Sequence, residues 1–193
     1  MKYLASILLT FCVAFNVAAK HSLSFIGIPI SGNIDIFSEQ ICSKGFSEGL
    51  SGIIYSGVSL FKGKFTGRDA TITVFYTPED NNIYGLLAMF EKSDNWDALV
   101  EDFNYYSKLY TLKYGDTPYI FKRLPRTENV SNETMLSMLY DKVIEYETYW
   151  HIEDCCICLS ITPSNDGKNA HIMISYGSEN DLYERLRKDY EDI

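Results

Sequence analysis

The sequence lacks two features that would define whole classes of protein. Its first apolar run, Leu4 to Phe15, is shorter than the ~20 residues that a membrane-spanning helix needs, and no second run of that kind follows. Basic residues are also scarce, since 17 Lys and Arg stand against 26 Asp and Glu. Nucleic acid is bound through clustered Lys and Arg, so this acidic balance excludes it as the expected partner.

Motifs that carry catalytic chemistry are absent too. The chain contains no H-E-x-x-H, no G-x-S-x-G and no calcium loop, and GKFTG at 63–67 lacks the Gly-Lys-Ser/Thr of a phosphate loop. Its carboxylates cluster at a predicted helix start, where the helix dipole favours negative charge. We therefore assign no catalytic, cofactor-binding or metal-binding residue from motifs.

The N-terminus is typical of a secretory signal peptide. Residues 1–19 contain one Lys, the apolar run, and the small residues Val17 and Ala19 before Lys20. Cleavage after Ala19 leaves residues 20–193 as a single domain with 16 basic and 26 acidic residues, a net charge of −10. We expect export, to the periplasm or the medium, with no transmembrane segment.

Alternating patterns predict an α+β domain. Apolar residues at helical spacing indicate a helix over 34–44 capped by Asn33, a long helix after Ser93 or Asp94, and a helix over 134–143. Ser178 and Asp181 resemble a capping box before a terminal helix. The long helix has the predicted buried stripe Trp96, Leu99, Val100, Phe103, Tyr106, Leu109 and Tyr110, and the terminal one has Leu182, Leu186, Tyr190 and Ile193.

Strand signals lie between these helices. Period-two alternation with turn residues predicts three or four strands before residue 91 and three more over 144–152, 155–162 and 170–176. Hairpin-connected strands separated from helices favour antiparallel sheet. We expect about six to eight strands with helices packed on one face, and two similar helix-plus-strands halves.

The stretch with the most potentially reactive side chains is HIEDCCICLS, residues 151–160, which contains three cysteines and a histidine. A two-residue turn at Glu153-Asp154 would set His151 opposite Cys156, with Cys158 on the same face. Such a pair has the spacing of a Cys-His nucleophile, so a reactive thiol face of His151, Cys156 and Cys158 remains an alternative to a plain strand. Zinc requires four converging ligands, and His171 is predicted to lie too far away to complete a site.

Disulfide bonding is a separate possibility. Four cysteines remain after signal removal, and an exported compartment permits their oxidation. Adjacent Cys155 and Cys156 point to opposite faces of a strand, which argues against a bond between them. Cys42, on the first helix, is the one partner outside the cluster, and Cys155 on the apolar face is its predicted partner.

Several separated motifs resemble one group of proteins. These are FIGIPISGNIDIFSEQICSKGF, VSLFKGKFTGRDATITV, KLYTLKYGDTP and YETYWHIEDCCICLSI. Together they look like the pattern of small uncharacterised secreted proteins of Bacteroides and related gut bacteria, over nearly the whole mature chain. The resemblance implies an exported α+β domain of a Gram-negative bacterium, brings no catalytic residue or ligand, and does not include the cysteine cluster.

These features favour a non-enzymatic exported domain. We expect it to bind another protein or a cell-envelope component through its sheet face or a surface rich in its 15 tyrosines. A carbohydrate-binding module that uses Tyr and Trp is one alternative. A hydrolase is another, either of the thiol type around Cys156 and His151 or with carboxylates as acid and base.

Overall fold

A large antiparallel sheet forms the centre of the molecule. The computed structural model describes residues 23–49, 56–115, 119–123 and 130–178. Within them lie three helices, α1 Ile34–Ser43, α2 Trp96–Tyr114 and α3 Asn132–Tyr140. The strands are β1 Ser24–Phe25, β2 Ile28–Pro29, β3 Ser47–Glu48, β4 Val58–Phe65, β5 Arg68–Tyr76, β6 Ile83–Phe90, β7 Tyr119–Arg123, β8 Glu145–Ile152, β9 Cys155–Pro163 and β10 Ala170–Ser178. The predicted α+β class is confirmed.

Two four-stranded meanders join to make this sheet. The strand order is β3-β4-β5-β6-β10-β9-β8-β7, and β1 pairs with β2 separately. The meanders meet where β6 runs antiparallel to β10, with Gly85 opposite Gly177 and Met89 opposite Met173. Helix α1 precedes the first meander and α2 the second, while α3 interrupts the second between β7 and β8. The two halves therefore share a topology of one helix followed by four strands.

The helices lie on one face of the sheet, which we call the covered face. Phe37 of α1 contacts Phe61 of β4, and Phe103 of α2 contacts Tyr146 of β8. The β1–β2 hairpin packs on the same side, since Phe25 contacts Tyr176 of β10. Side chains at alternate strand positions fill this core, including Ile72, Val74, Leu86, Ala88, Ile157, Leu159, Ile172 and Ile174.

Helix α2 is fixed to the covered face by aromatic side chains with polar tips. Tyr106 is buried and its hydroxyl lies 2.9 Å from the Thr66 hydroxyl, in the turn between β4 and β5. One turn later, the Tyr110 hydroxyl forms a hydrogen bond with that of Tyr176. These bonds satisfy polar groups that burial would otherwise leave without partners, so the helix has one preferred position on the sheet.

Some predicted boundaries differ from the structure. Asn95, and not Ser93 or Asp94, is the N-cap of α2, because Ser93 pairs with Ala170 through two backbone bonds of 2.8 and 2.9 Å. Helix α3 begins two residues earlier than expected and ends before Lys142, whose φ of 57° stops the helix. The predicted signal peptide and terminal helix lie outside the described residues.

Candidate functional site

The HIEDCCICLS stretch forms the β8–β9 hairpin. Its register pairs His151 with Cys156, Tyr149 with Cys158 and Ile152 with Cys155. This pairing is the one that the two-residue turn predicts, and it separates the cysteines as expected. Cys155 packs against the core on the covered face, whereas Cys156 and Cys158 lie on the opposite one. We call that opposite face the open face, to distinguish it from the face that Phe37 of α1 and Phe103 of α2 contact.

Burial governs the chemistry of the two open-face thiols. Cys156 is 1% exposed and Cys158 is 9% exposed. Burial, assisted by the negative charge of Glu147, raises the pKa of the Cys158 thiol to about 12. A thiolate is the nucleophilic form of cysteine, so Cys158 is protonated and inert at neutral pH. Cys156, the thiol of the predicted Cys–His pair, is almost fully buried, so a substrate has little access to it.

The predicted Cys42–Cys155 bridge is not formed in the structure. Helix α1 buries Ile34, Phe37 and Ile41, and this orientation leaves the next residue, Cys42, exposed to solvent. Cys155 is half-buried against the core on the covered face. None of the four cysteines in the described part of the chain takes part in a disulfide.

The possible metal ligands are dispersed. His171 pairs with Thr162 near the far end of β9, whereas His151 pairs with Cys156 at the hairpin end. Burial lowers the pKa of His171. Across the described ranges, no three His, Cys, Asp or Glu side chains come together in a way that would hold a metal ion.

Small residues occupy adjacent positions on the open face and form what we call the open-face groove. Its floor consists of Gly85 of β6, Ser175 and Gly177 of β10, and Cys156, Cys158 and Ser160 of β9. Tyr149 and Met173 stand beside it, and a cavity of about 370 Å³ lies over its Cys158–Ser160 end. Because the floor residues have short side chains, another segment of chain is able to approach the sheet closely there.

Helix α2 presents a second candidate surface on its solvent side. Tyr105, Leu109 and Leu112 are 47%, 38% and 79% exposed. Their i, i+4, i+7 spacing places them in one line along the helix, which we call the α2 stripe. Lys108 and Lys113 are exposed on its two sides near the C-terminal end. The prediction that Leu109 belongs to the buried stripe is wrong.

Sequence reasoning missed the α2 stripe for a specific reason. Leu109 is next to Tyr110 in the chain, yet Tyr110 is buried and Leu109 is exposed, so the two lie on different sides of the helix. The spacing of Tyr105, Leu109 and Leu112 was the available signal. Three apolar residues exposed in a line are more informative than the same residues scattered singly.

Comparisons with protein-family models, with curated proteins and with solved structures find no match to this chain. Within the described ranges, no helix has both the length and the apolar character that crossing a membrane requires.

Proposed function

We propose that this chain is an exported, non-enzymatic domain that binds a partner protein through the α2 stripe. The observation that carries the proposal is the exposed line of Tyr105, Leu109 and Leu112 on a helix whose other side is firmly anchored. Soluble proteins rarely leave such a line of apolar side chains in water unless another surface covers it. An aromatic residue beside two aliphatic ones also has the composition of an interface centre.

The charges around the stripe specify the chemistry of the partner. Lys108 and Lys113 lie on either side of Leu109 and Leu112, in a chain whose overall net charge is −9. Exposed apolar residues flanked by cations fit an amphipathic helix with an apolar face and carboxylates at its edges. We therefore expect an acidic amphipathic helix of another exported protein.

A rigid platform supports this mode of binding. Tyr105 contacts the ring of Tyr106 edge to face, with ring centroids 5.2 Å apart, and Tyr106 is itself buried. The stripe therefore has an ordered aromatic residue at one end before any partner arrives. Preorganised contact residues bind with less loss of conformational freedom, which favours affinity.

The partner is identified by site-specific photo-crosslinking in the source bacterium. A photoreactive residue replaces Leu112 in one variant and Ile36, an equally apolar exposed residue of α1, in the control variant. The protein crosslinked from position 112 and not from position 36 is then purified, and its affinity is measured by calorimetry. We expect L109S/L112S to weaken binding at least tenfold and I36S to leave it unchanged.

Charge and ligand class are tested with the same purified pair. K108E/K113E is expected to weaken binding, and added salt is expected to weaken binding by the unmodified chain, because opposite charges attract across the interface. Equal loss with I36S and L109S/L112S would overturn the assignment of the surface. Binding to a glycan array that L109S/L112S abolishes would overturn the partner class in favour of a carbohydrate.

Export is tested separately. Fractionation of the source bacterium followed by N-terminal sequencing is expected to recover a chain that begins at Lys20 from the periplasm or the medium. An uncleaved chain confined to the cytoplasm would contradict this half of the proposal and leave the α2 stripe unaffected.

A further inference from the structure

The open face of the sheet carries a positive charge near one edge and a negative charge near the other. Its residues form rows across the strands, because residues in register on neighbouring strands point to the same face. One row crosses the sheet from β4 to β8 and consists of Lys62, Thr71, Met89, Met173, Ser160 and Glu147. A lysine thus begins this row, a glutamate ends it, and two methionines lie at its centre.

The neighbouring row is bulky on the first meander and small at the centre of the second. In the same strand order it consists of Leu60, Thr73, Leu87, Ser175, Cys158 and Tyr149. Leu60 and Leu87 are half-buried, whereas Ser175 and Cys158 are buried residues of the floor of the open-face groove. The first meander therefore presents projecting apolar side chains, and the second presents a depression of about their depth.

A twofold rotation brings these unlike halves together. Its axis runs parallel to the strands, halfway between β6 and β10, and the rotation sets the open face of one copy against that of another. Strand β6 then lies over β10 of the second copy, and β4 lies over its β8. Lys62 faces Glu147 of the second copy, and Leu87 faces its Ser175. Opposite charges and complementary sizes meet in both halves, as a self-complementary interface requires.

We propose that the open face is the interface of a homodimer with this twofold symmetry. Six strands of about eight residues cover roughly 700 Å² per copy, close to the ~800 Å² per partner that stable interfaces bury. Helix α2 packs on the covered face, so its stripe points away from the interface in both copies. The dimer is therefore independent of the partner proposed for the α2 stripe and leaves two such stripes available.

The charge match tolerates the natural twist of sheets. Sheets packed face to face cross at about 30°, which shifts the contacts at their edges by roughly one row. Lys64 is the next residue of β4 on the same face after Lys62, and Glu145 precedes Glu147 in the same way on β8. After a shift of one row in either direction, a lysine of one copy still faces a glutamate of the other.

Charge reversal separates this interface from contacts within one chain. Lys62 and Glu147 are five strand spacings apart in one copy, about 24 Å, so they interact only weakly there. Sedimentation over a concentration series is expected to give twice the monomer mass for the unmodified chain. K62E and E147K are each expected to weaken dimerisation at least tenfold, and K44E, at the exposed end of α1, is expected to leave it unchanged.

Mixing the two variants gives the decisive result. In a dimer of one K62E chain and one E147K chain, both charge pairs are opposite again, so the mixture is expected to regain dimers that neither variant forms alone. Circular dichroism verifies that each variant is folded, and L87S replaces either one that is not, with the expectation of weaker dimerisation.

Three results would overturn the proposal. One is a monomer at about 100 μM, a concentration at which an interface of this size is expected to be occupied. Another is a dimer that K62E, E147K and L87S leave intact. The third is a dimer that L109S/L112S abolishes, because the α2 stripe would then hold the two copies together.

Discussion

The buried tyrosine pair between α2 and β10 tests how the helix that carries the α2 stripe is held. The hydroxyl groups of Tyr110 and Tyr176 are hydrogen-bonded to each other, and both residues are buried. Phe at either position would leave the other hydroxyl without this bond in the core, at a cost of about 1–3 kcal/mol. Phe at both positions removes both polar groups and is expected to be nearly neutral.

This reasoning predicts strong non-additivity. Y110F and Y176F are each expected to lower the free energy of unfolding by about 1–3 kcal/mol, and the double variant is expected to lose less than the sum by at least ~1 kcal/mol. Urea unfolding followed by tryptophan fluorescence measures the free energy of unfolding. Trp150 reports on this site because its ring centroid lies 5.4 Å from that of Tyr110. Y105F, which alters an exposed tyrosine, is the control and is expected to change stability by less than ~0.5 kcal/mol.

The same pair gives a pH dependence with a definite sign. Burial raises the pKa of Tyr110 and of Tyr176 above the usual value of about 10. Above pH ~10 the unfolded chain therefore releases protons that the folded chain retains, so the stability that the pair contributes is complete below pH ~10 and is lost as pH rises. The double Phe variant is expected to lose less stability between pH 9 and about 11 than the unmodified chain. For the stability series at neutral pH, free energies of unfolding of Y110F and Y176F within ~0.5 kcal/mol of the unmodified chain would refute the role of the hydrogen bond. Strictly additive losses in the double variant would refute it as well.

Three further outcomes follow from local geometry. N33A is expected to lower the free energy of unfolding, measured in urea, by about 1 kcal/mol. The reason is that the Asn33 side-chain oxygen accepts a hydrogen bond of 2.7 Å from the backbone N–H of Asp35 in the first turn of α1. G63A is expected to lower it by about 1–3 kcal/mol in the same assay, because a Cβ there would lie 2.6 Å from the ring of Phe46. The unreduced mass of the purified chain is expected to equal that of the fully reduced chain, since Cys42 and Cys155 are not bonded in the structure.

Elements with strong local signals were predictable from the sequence. The β8–β9 register follows from alternation, because only a two-residue turn keeps Trp150 and Ile157 on one face and Cys156 and Cys158 on the other. Asn33 predicts the start of α1 because an Asn side chain satisfies exposed amide groups at a helix N-terminus. In both cases, residues within a few positions of each other determine the outcome.

Features that depend on distant parts of the chain were not predictable. The adjacency of β6 and β10 joins segments about 90 residues apart, and no local pattern specifies it. The cap of α2 shifts to Asn95 because Ser93, just beyond the end of β6, bridges to Ala170 at the start of β10. Apolar residues occur on both sides of α2, so the spacing of Tyr105, Leu109 and Leu112 forms a line of its own but does not by itself show which line of the helix faces solvent.

Side-chain size, more than thiol reactivity, explains the cysteines of the open face. Positions 156 and 158 lie in register with Gly177 and Ser175, and Gly85 lies beyond Gly177 on the next strand, so three strands place small residues at neighbouring points. A nucleophilic site would need an ionisable and accessible thiol, whereas Cys156 is almost fully buried and burial keeps the Cys158 thiol protonated. The cluster that suggests catalysis when the sequence is read linearly is thus better understood as part of a packing surface.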